Sequence, residues 1–182
     1  MKIINTPIKD LVIFEPKIFN DNRGYFFESY NKKLLAKFSF IANFIQDNEA
    51  MSYRGVLRGF HFQHPPFDQA KLVRCIKGEI LDVVIDIRTK SKTYGKHFKI
   101  VLSEKNKKQL FIPRGFAHAY LVLSQEAIFS YKVDNKFSPD HNGGIIWNDK
   151  DLEIDWEFDN SKIVTSEKDK NLISFNNLKS PF

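Results

Sequence analysis

A two-residue hydrophobic rhythm, broken by closely spaced turns, constrains this chain more than any other feature. In Leu81-Asp-Val-Val-Ile-Asp-Ile-Arg88, residues 81, 83, 85 and 87 are apolar while 82, 86 and 88 are charged. His97–Ser103 places Phe98, Ile100 and Leu102 on one face, and Ala127–Val133 does the same with Ala127, Phe129, Tyr131 and Val133. A period of two belongs to strands, whose successive side chains point to opposite faces. Turn residues at Lys77-Gly78, Tyr94-Gly95 and Pro113-Arg-Gly115 punctuate these runs. Many strands joined by short turns predict an all-β chain: an antiparallel sandwich, a jelly roll or a barrel. The clear helical stretch is short, around residues 31–37, with Asn31 as a candidate N-cap. From about residue 159 the tail turns polar and lysine-rich, and is expected to wrap the surface in short helices or turns.

The length of 182 residues fits one domain with a substantial core. No repeat, linker or low-complexity segment divides it. No apolar run is long enough to span a bilayer, and Met1–Pro7 is too short and polar for a secretory signal. A cytoplasmic protein without a membrane partner is expected. The net charge of +6 favours anionic partners, but the lysines between Arg88 and Lys108 are spaced by polar residues, as on a solvated face. No nucleic-acid-binding motif accompanies them, so no nucleic-acid partner is expected. Cys75 is the single cysteine, which rules out an internal disulfide and a multi-cysteine metal site. Its strand-like setting suggests a buried structural thiol.

Unusual polar residues concentrate in four stretches: Asp21–Tyr30, Gln46–Asn48 running on to Gly55–Gln63, Pro113–Tyr120, and Ser166–Asp169. Alone, His61 between Phe60 and Phe62 reads as a core histidine with one ring nitrogen satisfied, and Tyr131 as a core tyrosine. Lys71 is harder to dismiss. It shares strand parity with Val73 and Cys75, and an inward lysine costs roughly several kcal/mol unless it is paired or lines a wet cavity. A ligand pocket inside a barrel would account for it.

Gly55-Val-Leu-Arg-Gly-Phe-His-Phe-Gln63 resembles the active-site signature of the dTDP-4-dehydrorhamnose 3,5-epimerase family. So do Asp21-x-Arg-Gly-x-Phe-x-Glu28, Gln46-Asp-Asn48, Ile112-Pro-Arg-Gly-Phe-Ala-His118 and Ser-x-Lys-Asp169, in the same order and with similar spacing. The resemblance implies a cupin-type antiparallel jelly roll (a double-stranded β-helix), usually a homodimer. It implies an enzyme that inverts C3, C5 or both in a nucleotide-linked 4-keto-6-deoxy sugar, for dTDP-rhamnose and cell-surface polysaccharide synthesis. His61 would be the general base, Asp169 its orienting partner, Tyr131 the acid on the opposite face, and Lys71 the cation that stabilises the enolate. Arg23, Phe26, Glu28, Gln46, Asp47, Asn48, Arg58, His118 and Lys168 would bind the nucleotide sugar.

These residue types suit that chemistry. A 4-keto group acidifies the hydrogens on C3 and C5. Inversion then needs a base on one face and an acid on the other, and histidine titrates near working pH. A buried carboxylate fixes its tautomer. A fixed cation stabilises the enolate, and arginine forks suit a pyrophosphate. No cofactor is required, and no Gly-rich dinucleotide fingerprint is present. Metal-binding cupins usually offer His-x-His, a glutamate and a later histidine. Here Gln63 replaces the second histidine and no glutamate follows before Lys71, so no metal is expected. Arg58 and His61 have opposite strand parity, which a bulge at Gly59 would reconcile. Phe137 and Asn142 stand where the family often has tyrosine and glutamate. These departures keep a C3-only, C5-only or GDP-heptose epimerase in view. A non-catalytic sugar-nucleotide-binding cupin is the alternative of another class.

Overall fold

The alternating runs become strands wherever their apolar faces meet another layer. The computed structural model describes residues 1–36 and 42–182. Its strands are β1 (Lys2–Asn5), β2 (Val12–Glu15), β3 (Phe19–Asp21), β4 (Gly24–Phe26), β5 (Gln46–Tyr53), β6 (Leu57–Gln63), β7 (Lys71–Lys77), β8 (Glu79–Asp86), β9 (His97–Ser103), β10 (Gln109–Ile112), β11 (Phe116–Val122), β12 (Glu126–Val133) and β13 (Asn142–Gly144). The helices are short, α1 (Lys32–Ala36) and α2 (Glu167–Lys170), with single 3-10 turns at Pro139–His141, Asn160–Lys162 and Phe175–Asn177. One sheet runs β1-β2-β10-β7-β12-β5, another β13-β6-β11-β8-β9, and β3 and β4 form a separate hairpin. The named strands pair antiparallel throughout. This is the cupin-type jelly roll with short peripheral helices. In α1, Leu35 N donates to Asn31 O at 3.0 Å; Lys37 lies outside the described residues.

Three apolar layers hold the strands. Between the two large sheets, Val73 and Cys75 of β7 and Phe129 of β12 meet Val84 of β8 and Phe116 and Tyr120 of β11. Burial pushes the Cys75 thiol up to about 12, and its Sγ lies 3.0 Å from Lys77 O, so it is an inert structural thiol. The outer face of the six-stranded sheet packs Val12, Phe14, Leu72 and Phe111 under Leu35, Tyr30 and Phe44. The outer face of the five-stranded sheet packs Leu81, Val83 and Ile85 under Ile145, Leu152 and Trp156, with Phe175 and Phe182 alongside. Strand β8 is therefore buried on both faces. Its apolar odd-numbered side faces the C-terminal segment, and its even-numbered side, which carries Asp82, faces the space between the sheets.

Two irregularities position the site. His61 lies opposite His118 and Arg58 opposite Tyr120, so residues 59 and 60 together face residue 119 alone. This bulge brings Arg58 and His61 to the same side of β6. Gly59 has φ +125°, and a Cβ there would sit 2.5 Å from Ala119 Cβ and 2.5 Å from His118 O. Only glycine fits without a shift. The second irregularity is a parallel bridge between Val56 and Val164. Leu57 N donates to Val164 O at 2.9 Å, and Val164 N to Gly55 O at 2.8 Å. The bridge clips the tail to the start of β6 and leads it to α2.

Candidate active site

Between the sheets lies a cavity of about 480 Å³, walled by Arg58 and His61 of β6, Lys71 of β7, His118 and Tyr120 of β11, Phe129 and Tyr131 of β12, and Lys168 and Asp169 of the tail. Strand alternation places the residues of β7 and β12. Lys71 shares its face with Val73 and Cys75, and Tyr131 shares its own with Phe129. Arg58, His61 and His118 belong to the five-stranded sheet, whereas Lys71 and Tyr131 belong to the six-stranded one. The histidine and the tyrosine therefore approach the cavity from facing walls.

His61 Nε2 lies 2.7 Å from Asp169 Oδ1. Gly59 N donates to Asp169 Oδ2 at 3.3 Å, so the bulged residue also supports the carboxylate. Ser166, the N-cap of α2, accepts from Asp169 N at 3.1 Å. Burial alone would raise the Asp169 pKa. The hydrogen bonds from His61 and Gly59 outweigh it and hold the group below the usual carboxylate range. A carboxylate facing Nε2 keeps the ring hydrogen there and leaves the lone pair on Nδ1.

The remaining titratable groups are tuned mainly by enclosure. Desolvation lowers Lys71 to about 8, against the pull of Asp82. Burial raises Tyr131, partly offset by Arg58, so the phenol stays protonated at neutral pH. Burial also lowers His118, although its Nε2 lies 2.9 Å from Asp82 Oδ2. Arg58 Nε donates to Ser52 Oγ at 3.2 Å. Among the described residues, no three histidine, cysteine or acidic side chains gather as a metal-holding group. Gln63 is committed to backbone. Its Nε2 donates to Phe67 O at 2.7 Å and Lys136 O at 3.0 Å, and its Oε1 accepts from Ser138 N at 2.6 Å.

Other expected residues stand outside these walls. Arg23, 85% exposed at its side chain, folds back onto Asp21 in the β3–β4 hairpin. Phe26 is 66% exposed on the same hairpin, and Glu28 accepts from Asn31 Nδ2 at 2.9 Å. On β5, Gln46 donates to Asn48 Oδ1 at 2.7 Å. Gln46 and Asn48 lie opposite Val133 and Tyr131, on the face of Ala50, which does line the cavity. Asp47 points to the other face and accepts from Lys132 Nζ at 2.6 Å. Sequence reasoning missed Asp82, Tyr120 and Ser52. The available signal was Asp82 itself, an acid sharing parity with Ile80 and Val84, which both face the inter-sheet core.

A jelly roll enclosing this cavity, with a histidine–carboxylate pair on one wall and a lysine and a tyrosine on the other, defines a cupin-type isomerase. The family model described as dTDP-4-dehydrorhamnose 3,5-epimerase matches residues 5–177. The chain belongs to that family. A dTDP-4-dehydrorhamnose 3,5-epimerase from Shigella flexneri is 48% identical over 172 residues, covering 94% of each chain. The crystal structure of the Elizabethkingia anophelis enzyme superposes with a TM-score of 0.95 at 45% identity, covering 99% of this chain and 98% of that one. A Legionella pneumophila enzyme, solved in complex with dTDP-4-keto-L-rhamnose, gives 0.94 at 41% identity, covering 98% and 94%. Among the described residues, no helix is long and apolar enough to cross a membrane.

Proposed function

We propose that the chain converts dTDP-4-dehydro-6-deoxy-D-glucose to dTDP-4-dehydro-L-rhamnose by inverting C3 and C5 through enolate intermediates. The observation that carries this reading is the placement of His61 and Tyr131 on facing sheets around one cavity. His61, oriented by Asp169, takes the proton from the carbon beside the keto group. The electron pair moves to the C4 oxygen, where the Lys71 ammonium stabilises it. Tyr131 returns a proton from the other side, and both groups re-equilibrate with solvent. Arg58, His118 and Lys168 hold the nucleotide sugar. The similarity to the Legionella enzyme supports the same substrate class.

Residues 1–182 act as one cupin-like domain, because the tail supplies Asp169 to the barrel's cavity. Two copies pair, which would let Arg23 and Phe26 of one hairpin, and Glu28 just beyond it, reach a second cavity. Lone, buried Cys75 accords with a cytoplasmic site of action. The rhamnosyl product would serve cell-surface polysaccharide synthesis.

Proton NMR of dTDP-4-keto-6-deoxyglucose with the protein in heavy water tests the activity. Deuterium should enter at C3 and C5 together with inversion. Entry at one carbon alone would reduce the reading to a single-centre epimerase. No entry would leave a sugar-nucleotide-binding cupin.

A further inference from the structure

Asp82 is fully buried in β8 and faces the space between the sheets. Its Oδ2 lies 2.9 Å from His118 Nε2, yet its Oδ1 has no hydrogen-bond partner. A buried carboxylate with an empty acceptor is costly unless a nearby charge compensates for it. His118 is a weak candidate, because its own burial disfavours the imidazolium. Lys71 projects from the facing sheet into the cavity that His118, bonded to Asp82, also lines, and it lies within the carboxylate's field. The Lys71 ammonium has no hydrogen-bonded acid of its own among the described ion pairs. The other charged or titratable groups around it are Arg58 and His61 of β6, His118 and Tyr120 of β11, Tyr131 of β12, and Lys168 and Asp169 of the tail. Of the two acids, Asp169 is engaged by His61. Asp82 is the one whose second oxygen is free.

We propose that Asp82 is a positioning residue, a buried counter-charge whose unpartnered Oδ1 leaves it to keep the Lys71 ammonium charged inside the cavity while Oδ2 anchors His118. The inference rests on the role given to Lys71 above. Enclosure already brings Lys71 to about 8, so losing its counter-charge would deprotonate it within the working range.

The test is the pH dependence of kcat/KM for Asp82→Asn beside the parent and Lys71→Ala. A nearby opposite charge in a buried site moves a pKa by about 1 unit or more. The parent-to-variant activity ratio should therefore rise roughly fivefold between pH 6 and pH 8. In the Lys71→Ala background the pH trend should vanish, and Asp82→Asn should cost one factor at every pH, the part lost through His118. A merely structural role would lower activity by the same factor at every pH with Lys71 present as well. A pH-independent parent-to-variant ratio would overturn the inference. Full activity of Lys71→Ala would instead overturn the role of Lys71 itself, leaving Asp82 nothing to hold. Should Asp82→Asn fail to fold, Asp82→Leu/His118→Phe removes both partners without stranding either, and the same pH trend is expected.

Discussion

The site's chemistry depends on how differently its few polar groups are held. His61 is fixed by a short contact to a carboxylate that is itself bonded to Gly59. His61→Ala should lose roughly 10³-fold in kcat with an unchanged circular dichroism spectrum, and near-normal turnover would remove it as the base. Tyr131 is held by packing beside Phe129, with ring centroids 5.5 Å apart. Burial keeps its phenol protonated. Tyr131→Phe deletes one oxygen, so His61 should still exchange the substrate's acidic hydrogens with heavy water. Delivery from the facing wall should fail, and inverted product should fall far more than deuterium uptake. Equal loss of both would mean that Tyr131 is not the opposite-face acid. Asp82 shows where residue-level reading stopped. Leu81, Val83 and Ile85 marked a strand clearly, but the pattern alone could not show that both faces of it are covered.

Among the elements, β6 controls the most geometry. Its bulge reconciles Arg58 with His61, and a side chain at residue 59 would meet Ala119 and the His118 carbonyl at 2.5 Å. Gly59→Ala should destabilise the protein by about 1–3 kcal/mol, read from the urea midpoint. It should also cost roughly 100-fold in kcat by displacing His61. A variant as stable and active as the parent would show that the bulge does not set the site. The bulge was legible beforehand because two residues of opposite parity were both needed at one cavity. Strand β5 was not legible as a strand. Gln-Asp-Asn-Glu-Ala-Met-Ser-Tyr has little hydrophobic alternation, because its inward positions lie at or beside a polar cavity and its outward ones are exposed. The tail was expected to wrap the surface in short helices or turns, and α2 and the 3-10 turns are such elements. The depth of its apolar contact with the five-stranded sheet was hidden, because Trp156, Phe175 and Phe182 are scattered without a period.

At the scale of the whole molecule, β5 is an edge strand, and Met51 and Tyr53 on it are 48% and 61% exposed. Long edges of this kind invite another chain. The β3–β4 hairpin holds Phe26 in solvent as well. A homodimer mass is expected by light scattering at micromolar concentration, with Phe26→Asp shifting it towards the monomer. A monomer mass for the parent would contradict the pairing. The contact between His61 and Asp169 spans 108 positions of sequence, and this has a consequence for synthesis. A ribosome has made every strand of both large sheets once residue 144 is joined, and a barrel could begin to close while the tail is still in the exit tunnel. Such a nascent chain would have its histidine in place and no carboxylate behind it. Catalytic competence would then arrive when α2 emerges and docks, in the same step in which the tail covers the outer face of the five-stranded sheet.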